Sequence, residues 1–194
     1  MMGLGAAGIR QTEAMSAADV EWFDQPIGEP VEIVEASEQW AVRGRAWETR
    51  LADALAPLAV QVDHVGSTSV PGLAAKPVID LQVQVPDLAD ERAYLPALEG
   101  LGVVLRARGG SFRFLRPPAG VERDVHIHVC ETGSDWAVEH LAFRDALRAD
   151  TALADEYAQL KRRLAAAVED RADYNRGKES FILGVVARST GIHG

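Results

Sequence analysis

Hydrophobic residues in the N-terminal half recur in short segments separated by turn-forming glycines and prolines, a pattern typical of β-strands. Segment 77–85 is almost continuously apolar, which predicts a central strand covered on both faces. Gly109 and Gly110 separate two further apolar segments and predict a hairpin. The predicted strands are residues 60–65, 77–85, 103–106, 112–115 and 124–130, with 31–34 as either a strand or an extended entry.

Other segments show the period of helices. Ser37 is placed to cap a helix that carries a stripe of large apolar residues, typical of a core-facing side. The stripe residues recur at steps of seven and four and are Trp40, Trp47, Leu51 and Leu55. Residues 87–101 predict a second helix, which ends at the glycines near position 100.

From Trp136 onward the pattern is helical, with a break where Asp150 or Thr151 can cap the next helix. One face of that helix carries Leu153, Tyr157, Leu160, Leu164 and Val168. The last helix has a buried side formed by Phe181, Ile182, Val185 and Val186. We therefore predict an α/β core over 30–135 and a helical region over 136–194 packed on it as one compact domain. Residues 1–29 are predicted to be a partly ordered tail with a short helix over 17–23.

Composition narrows the possible functions. The 194 residues are 47% hydrophobic and 25% charged, and the formal net charge is -9, which disfavours broad binding to nucleic acid. Cys130 is the single cysteine, so no internal disulfide or multi-thiolate zinc site can form. No apolar run reaches the roughly 20 residues of a membrane span, and the first residues do not resemble a secretory signal. We expect a cytoplasmic protein, and the sequence does not indicate its oligomeric state.

A Gly-Ser turn followed by a buried acid is the strongest chemical signal. Gly66 lets backbone amides approach an anion, and the Ser67 hydroxyl adds a donor, as in phosphate-binding turns. Twelve residues then separate Ser67 from Asp80 at the start of a strand, enough for the chain to return to the same phosphates. There the carboxylate can hold a divalent cation. This order of residues is typical of a nucleotidyltransferase site.

The surrounding sequence prompts a family assignment. Residues 64–81, HVGSTSVPGLAAKPVIDL, closely resemble the signature of the GrpB-like family (UPF0157), a branch of the nucleotidyltransferase superfamily. Residues 126–129, His-Ile-His-Val, resemble the family's His-Leu-His-Val strand, and 143–145 resemble its Phe-Arg-Asp helix. The resemblance runs from about residue 31 to residue 188. It implies an α/β fold with a small mixed sheet flanked by helices and a C-terminal helical segment.

Two polar positions interrupt the apolar strand 77–85. Asp80 and Gln82 share one face because side chains in a strand alternate. An enzyme of the superfamily is expected to carry carboxylates at both positions to hold two cations. Since Gln82 is a neutral amide, it is assigned to nucleotide binding, and two-metal catalysis is not expected.

Histidines offer a second set of cation ligands. His126 and His128 lie on one face of the strand 124–130, about 7 Å apart at their backbones, and His64 precedes the Gly-Ser turn. In one interpretation Asp80 and a histidine hold Mg²⁺ or Mn²⁺ against phosphates, with His126 or His128 as ligand or base. In the other, His64, His126 and His128 bind a transition metal, for which imidazole is the preferred ligand.

Basic and hydroxyl side chains complete the predicted nucleotide site. Those assigned to it are Gly66, Ser67, Thr68, Lys76, Gln82, Arg113, Arg144, Lys161 and Lys178, of which Arg144, Lys161 and Lys178 rest on the resemblance. The leading hypothesis is a metal-dependent nucleotidyltransferase that acts on a nucleoside triphosphate and a small-molecule acceptor. The alternatives are a nucleotide- or metabolite-binding module without catalysis and a histidine-based metal enzyme of other chemistry.

Overall fold

The computed structural model describes residues 20–23, 31–58, 60–168 and 171–191 of the chain. Its strands form one mixed sheet in the order β1-β4-β5-β6-β3-β2. The strands are β1 (Glu21–Trp22), β2 (Gln61–Val65), β3 (Ile79–Val85), β4 (Val104–Arg108), β5 (Arg113–Arg116) and β6 (Val125–Glu131). The central pair β3–β6 is parallel and the other pairs are antiparallel. The fold is therefore the predicted α/β class.

Helices cover the sheet on both sides. They are α1 (Glu38–Ala54), α2 (Glu91–Glu99), α3 (Asp135–Ala149), α4 (Thr151–Ala167) and α5 (Arg171–Thr190). Ser37 caps α1 by accepting a hydrogen bond from the Gln39 amide, and Asp150 caps α4 by accepting one from the Leu153 amide. Both predicted caps are confirmed. Across the described ranges of the chain, the helices lack the combined length and hydropathy needed to cross a lipid bilayer.

The main core lies between the sheet and helices α1 and α2. Ile79, Leu81 and Val83 of β3 are fully buried there, against Trp47 and Leu51 of α1. The predicted apolar stripe of α1 is thus confirmed as core. Each such side chain contributes about 1.5–3 kcal/mol to stability on burial, so this face holds the strands in register.

A second apolar cluster joins the C-terminal helices to the loop that follows β2. Val70 and Leu73 of this loop pack against Phe143, Tyr157 and Val186 of helices α3, α4 and α5. Since the loop continues directly from the Gly-Ser turn, this cluster fixes the turn against the helical region. The domain boundaries at residues 30 and 136 stay a prediction.

Three local predictions are wrong. Of the helix predicted over 17–23, the described part is an edge strand, in which Glu21 and Trp22 pair with β4. The helix predicted over 87–101 begins only at Glu91, because Asp87 instead accepts a hydrogen bond from the Ala89 amide in a turn. Val168 was predicted on the apolar face of α4, but it has extended backbone and follows the end of this helix.

Candidate active site

The Gly-Ser turn touches the acid that follows it. Gly66 has a φ of 69°, in the left-handed region that favours glycine, and its neighbour Val65 pairs with Asp80 across β2 and β3. A Cβ atom at Gly66 would lie 2.5 Å from Oδ2 of Asp80. The turn backbone and the carboxylate therefore share one small space, which a larger residue would fill.

Hydrogen bonds hold the turn rigid. Residues Ser67–Ser69 form one turn of 3-10 helix, in which the Ser69 hydroxyl donates to the Gly66 carbonyl at 2.6 Å. Thr68 donates its hydroxyl to the Val78 carbonyl at 2.9 Å, so this predicted ligand residue braces the loop. The Ser67 hydroxyl accepts a hydrogen bond from Nζ of Lys161 at 2.9 Å.

Asp80 meets two of the predicted histidines. In the parallel pair β3–β6, Asp80 lies beside His126, and their Oδ1 and Nδ1 atoms are 3.0 Å apart. Nε2 of His128 lies 3.9 Å from the same oxygen. The Asp80 side chain is 30% exposed, whereas the two histidines are 9% and 10% exposed. The cluster is thus closed on the histidine side and open at the carboxylate.

The histidines keep this carboxylate ionised. Burial by itself raises the pKa of the Asp80 carboxyl, but hydrogen bonds and charge from His126 and His128 outweigh burial. The net result is a pKa well below the ordinary value for aspartate. An ionised oxygen beside two imidazoles is a suitable environment for a divalent cation.

Aromatic rings surround His128 on the inner side of the cluster. Phe114 stacks on it at 5.1 Å between ring centroids, and Trp136 lies at 5.3 Å. His140 stacks on Trp136 at 3.6 Å, and its Nδ1 donates to the Trp136 carbonyl. Burial lowers the pKa of His140 to about 3, so this ring is neutral. Sequence reasoning missed His140, although its spacing of four from Trp136 places both on one helix face.

The second polar position of β3 is closed to ligands. Gln82 is fully buried, and its amide donates to the Ala137 carbonyl of α3 at 3.4 Å. The residue opposite Gln82 in β2 is Asp63, which the sequence analysis did not identify. Arg144 donates to Asp63 at 3.2 Å and to the His64 carbonyl at 3.3 Å. Gln82 and Arg144 thus join α3 to the sheet.

Three lysines lie near the turn, two of them over the ring of Tyr174. Nζ of Lys178 lies 4.4 Å from the ring centroid of Tyr174, and Nζ of Lys76 lies 5.5 Å from it. Lys161 is 2% exposed and contacts Ser67. A local basic patch thus exists within an acidic chain, adjacent to the predicted phosphate-binding turn.

The environment of Lys161 makes its charge depend on pH near neutrality. Its Nζ also donates to the Ala74 carbonyl and lies 4.8 Å from the Tyr157 ring centroid. Burial, aided by the nearby charges of Lys178 and Arg162, lowers the pKa of Lys161 to about 7, against a weaker opposing effect of Asp80. An incoming anion would restore the full charge of this ammonium.

His64 and Arg113 are not brought to the cluster. His64 pairs with Leu81 and faces α1, where its ring bonds Thr68 at 3.0 Å and abuts Gly44, so the proposed three-histidine set is wrong. Arg113 is paired with Glu91 of α2 and points away from the face that carries Phe114. Asp124 lies just before β6 and pairs with Arg43 at 3.2 Å.

Solved structures share this fold. A structure of the Cid1 poly(U) polymerase has a TM-score of 0.54 with 12% sequence identity, covering 75% of this chain and 49% of that chain. The GLD-2/RNP-8 complex structure has a TM-score of 0.50 at 14% identity, covering 70% of this chain and 58% of that one. At such identities the likeness establishes a nucleotidyltransferase-like fold alone.

Relatives with higher identity define the family. The chain is 40% identical to a UPF0157 protein of Streptomyces coelicolor over 171 residues, 88% of this chain and 90% of the relative. It is 30% identical to GrpB from Enterococcus faecalis, with a TM-score of 0.73 and coverage of 82% and 98%. A dephospho-CoA kinase of Mycolicibacterium paratuberculosis is 31% identical over 170 residues, 74% of this chain and 41% of that protein. The profile described as GrpB protein matches residues 30–188, and the chain belongs to the GrpB (UPF0157) family.

Proposed function

We propose that the protein binds a nucleoside triphosphate at the Gly66–Ser67 turn and transfers its nucleotidyl group to a small-molecule acceptor. The observation that supports this most directly is the contact between the turn and Asp80, where a Cβ on Gly66 would meet Oδ2 at 2.5 Å. Phosphates held by the turn would therefore lie directly beside an ionised carboxylate. This is the arrangement that phosphoryl chemistry needs.

The phosphate charge would be neutralised from two sides. Lys161 provides an ammonium group at the turn through its contact with Ser67, and the charge of Lys178 lies near that of Lys161. Asp80, His126 and His128 provide ligands for one divalent cation on the other side. A bound cation would neutralise charge on the phosphate oxygens and favour in-line attack. In the transfer, the acceptor oxygen bonds to the α-phosphorus, the bond to the bridging oxygen breaks, pyrophosphate leaves, and the hydroxyl proton passes to solvent.

Calorimetry of ATP and GTP binding tests this proposal. We expect binding that requires a divalent cation and that weakens about tenfold or more in Asp80→Asn. Asp124→Asn is the matched control, because it removes a nearby carboxylate that pairs with Arg43 outside the cluster. Equal affinity in wild type and Asp80→Asn, with or without metal, would contradict the role of Asp80.

The acceptor is sought by pyrophosphate release from a panel of small metabolites. Dephospho-CoA and coenzyme A belong in this panel, because a protein named dephospho-CoA kinase contains a segment similar to this chain. Acidic composition favours small acceptors over RNA. Release above background with one acceptor, and its loss in Asp80→Asn, is the expected result.

Gln82 favours a second candidate, a nucleotide-binding module without catalysis. The position that would carry a second carboxylate holds a buried amide bonded to Ala137. Nucleotide binding that depends on Asp80, without pyrophosphate release for any acceptor, would support this candidate over transfer.

A further inference from the structure

The donor atoms of the open cluster are unusual for a phosphate-handling cation site. Two are imidazole nitrogens, of His126 and His128, and one is a carboxylate oxygen, of Asp80. Mg²⁺ strongly prefers oxygen ligands, whereas imidazole suits first-row transition metals such as zinc and iron. The ligand set therefore does not match the cation that most nucleotide enzymes use.

The spacing of these atoms suits a single ion. Zinc lies about 2.1 Å from each donor, so two ligands at tetrahedral or octahedral angles are about 3.0–3.4 Å apart. Oδ1 of Asp80 is 3.0 Å from Nδ1 of His126 and 3.9 Å from Nε2 of His128. One ligand atom from each of the three residues lies within 4.8 Å of the others. Small side-chain rotations would close the remaining gap.

The surroundings leave one side available. Phe114 and Trp136 pack on His128 and fix its ring orientation. Asp80, in contrast, is 30% exposed and borders Gly66. A metal with three protein ligands keeps positions for water or substrate, as catalytic sites require. The accessible side of this cluster faces the turn to which we assign the phosphates.

We propose that Asp80, His126 and His128 form a two-histidine, one-carboxylate site for a divalent transition metal, selective against Mg²⁺. This inference deepens the proposed function. The role of the cation in catalysis rests on that function, whereas the binding of the cation does not. It is tested without nucleotide.

The test is calorimetric titration of the metal-depleted full-length protein with Zn²⁺, Mn²⁺ and Mg²⁺ in turn. We expect one equivalent of Zn²⁺ to bind, with Mg²⁺ binding far more weakly. Asp80→Asn and His128→Gln should each weaken Zn²⁺ binding by about tenfold or more. His64→Gln is the control, because it removes a buried imidazole that faces α1, and it should leave Zn²⁺ affinity unchanged.

Cobalt absorption gives a readout that needs no variant. Co²⁺ bound to wild-type protein should show visible bands that Zn²⁺ removes and Mg²⁺ does not. Zn²⁺ binding that persists in both Asp80→Asn and His128→Gln, or equal affinity for Mg²⁺, would overturn the inference. ATP binding supported by Mg²⁺ without any Zn²⁺ site would contradict this inference alone. A Zn²⁺ site without nucleotide binding under any metal would contradict the proposed function alone.

Discussion

The two faces of the central strands are made from alternate residues of the same segments, yet they differ in chemistry. Toward α1 and α2, Leu81 and Ile127 are fully buried in an apolar core. Toward α3, the neighbouring positions hold Asp80, His126 and His128. Polar groups gain less free energy from burial than apolar ones, even when they are bonded as Asp80 and His126 are, so these three residues contribute less to stability than the apolar face does. We infer that the first face stabilises the fold, and we assign the proposed chemistry to the second.

Leu81→Ala gives the largest expected effect. It creates a cavity in the apolar face, and we expect the free energy of unfolding to fall by about 2–5 kcal/mol in urea denaturation. ATP affinity of the folded variant should stay near that of wild type, because Leu81 faces away from the cluster.

Val42→Ala on α1 is the control for this variant, since Val42 is 58% exposed and should change stability by less than about 0.5 kcal/mol. If Leu81→Ala abolished nucleotide binding while remaining folded, the assignment of stability to one face and binding to the other would be wrong.

Gly66→Ala tests the polar face at its closest contact. The added Cβ would strain a backbone with φ of 69° and clash with Asp80, so we expect ATP affinity to fall about tenfold or more. Gly72→Ala is matched, because Gly72 has a φ of 76° but nothing lies within 4 Å of its Cβ position. Both variants should lose about 1 kcal/mol of stability from backbone strain, and Gly66→Ala alone should lose binding. Equal ATP affinities in the two would refute the contact's role.

Glu91→Gln examines a charged cluster on the structural side of the sheet. Hydrogen bonds from Arg108, opposed by burial and aided by Arg113, lower the pKa of Glu91 to about 2. A depressed carboxyl pKa stabilises the protein above the unfolded value of 4.5 and loses this contribution as pH falls toward about 2.

We therefore expect Glu91→Gln to cost about 1–2 kcal/mol at neutral pH, allowing for screening at half-exposed Arg108. The difference from wild type should shrink as pH falls from 4.5 toward about 2, as measured by denaturation at each pH. A difference independent of pH would show that the ion pairs do not stabilise the fold.

Lys161→Met gives the smallest expected effect and tests the proposed phosphate contact on the polar face. Because the pKa of Lys161 is lowered to about 7, mainly by burial, the wild-type ammonium loses its proton as pH rises through that value. ATP affinity should fall over the same range, and binding should take up protons in calorimetry with buffers of different ionisation enthalpy. Lys161→Met should bind several-fold more weakly at low pH and show a flatter pH profile. An unchanged profile would place the phosphates elsewhere.

Short-range patterns predicted much of this architecture. The period of two placed His126 and His128 on one strand face, and the Gly-Ser turn with its downstream acid pointed to Asp80. These three residues do meet in the structure. Local alternation placed these side chains on one face of each strand, and the pairing of β3 with β6 brought the two strands' polar residues together.

The sequence did not predict the register between distant strands. Whether His64 faces the cluster depends on its pairing with Leu81 rather than with a neighbour, and one step would reverse its direction. Arg113 pairs with Glu91 of α2, which lies 22 residues earlier in the chain. The edge strand β1 contains only two residues, too few for a periodic pattern. Tertiary contacts determined each of these outcomes.

A crystal structure with Mn²⁺ and a non-hydrolysable ATP analogue tests the central claim most directly. We predict an anomalous manganese peak among Asp80, His126 and His128, with phosphate oxygens contacting the Gly66–Ser67 backbone and Lys161. Phosphates bound away from this turn, or an occupied metal position that does not include Asp80, would contradict it.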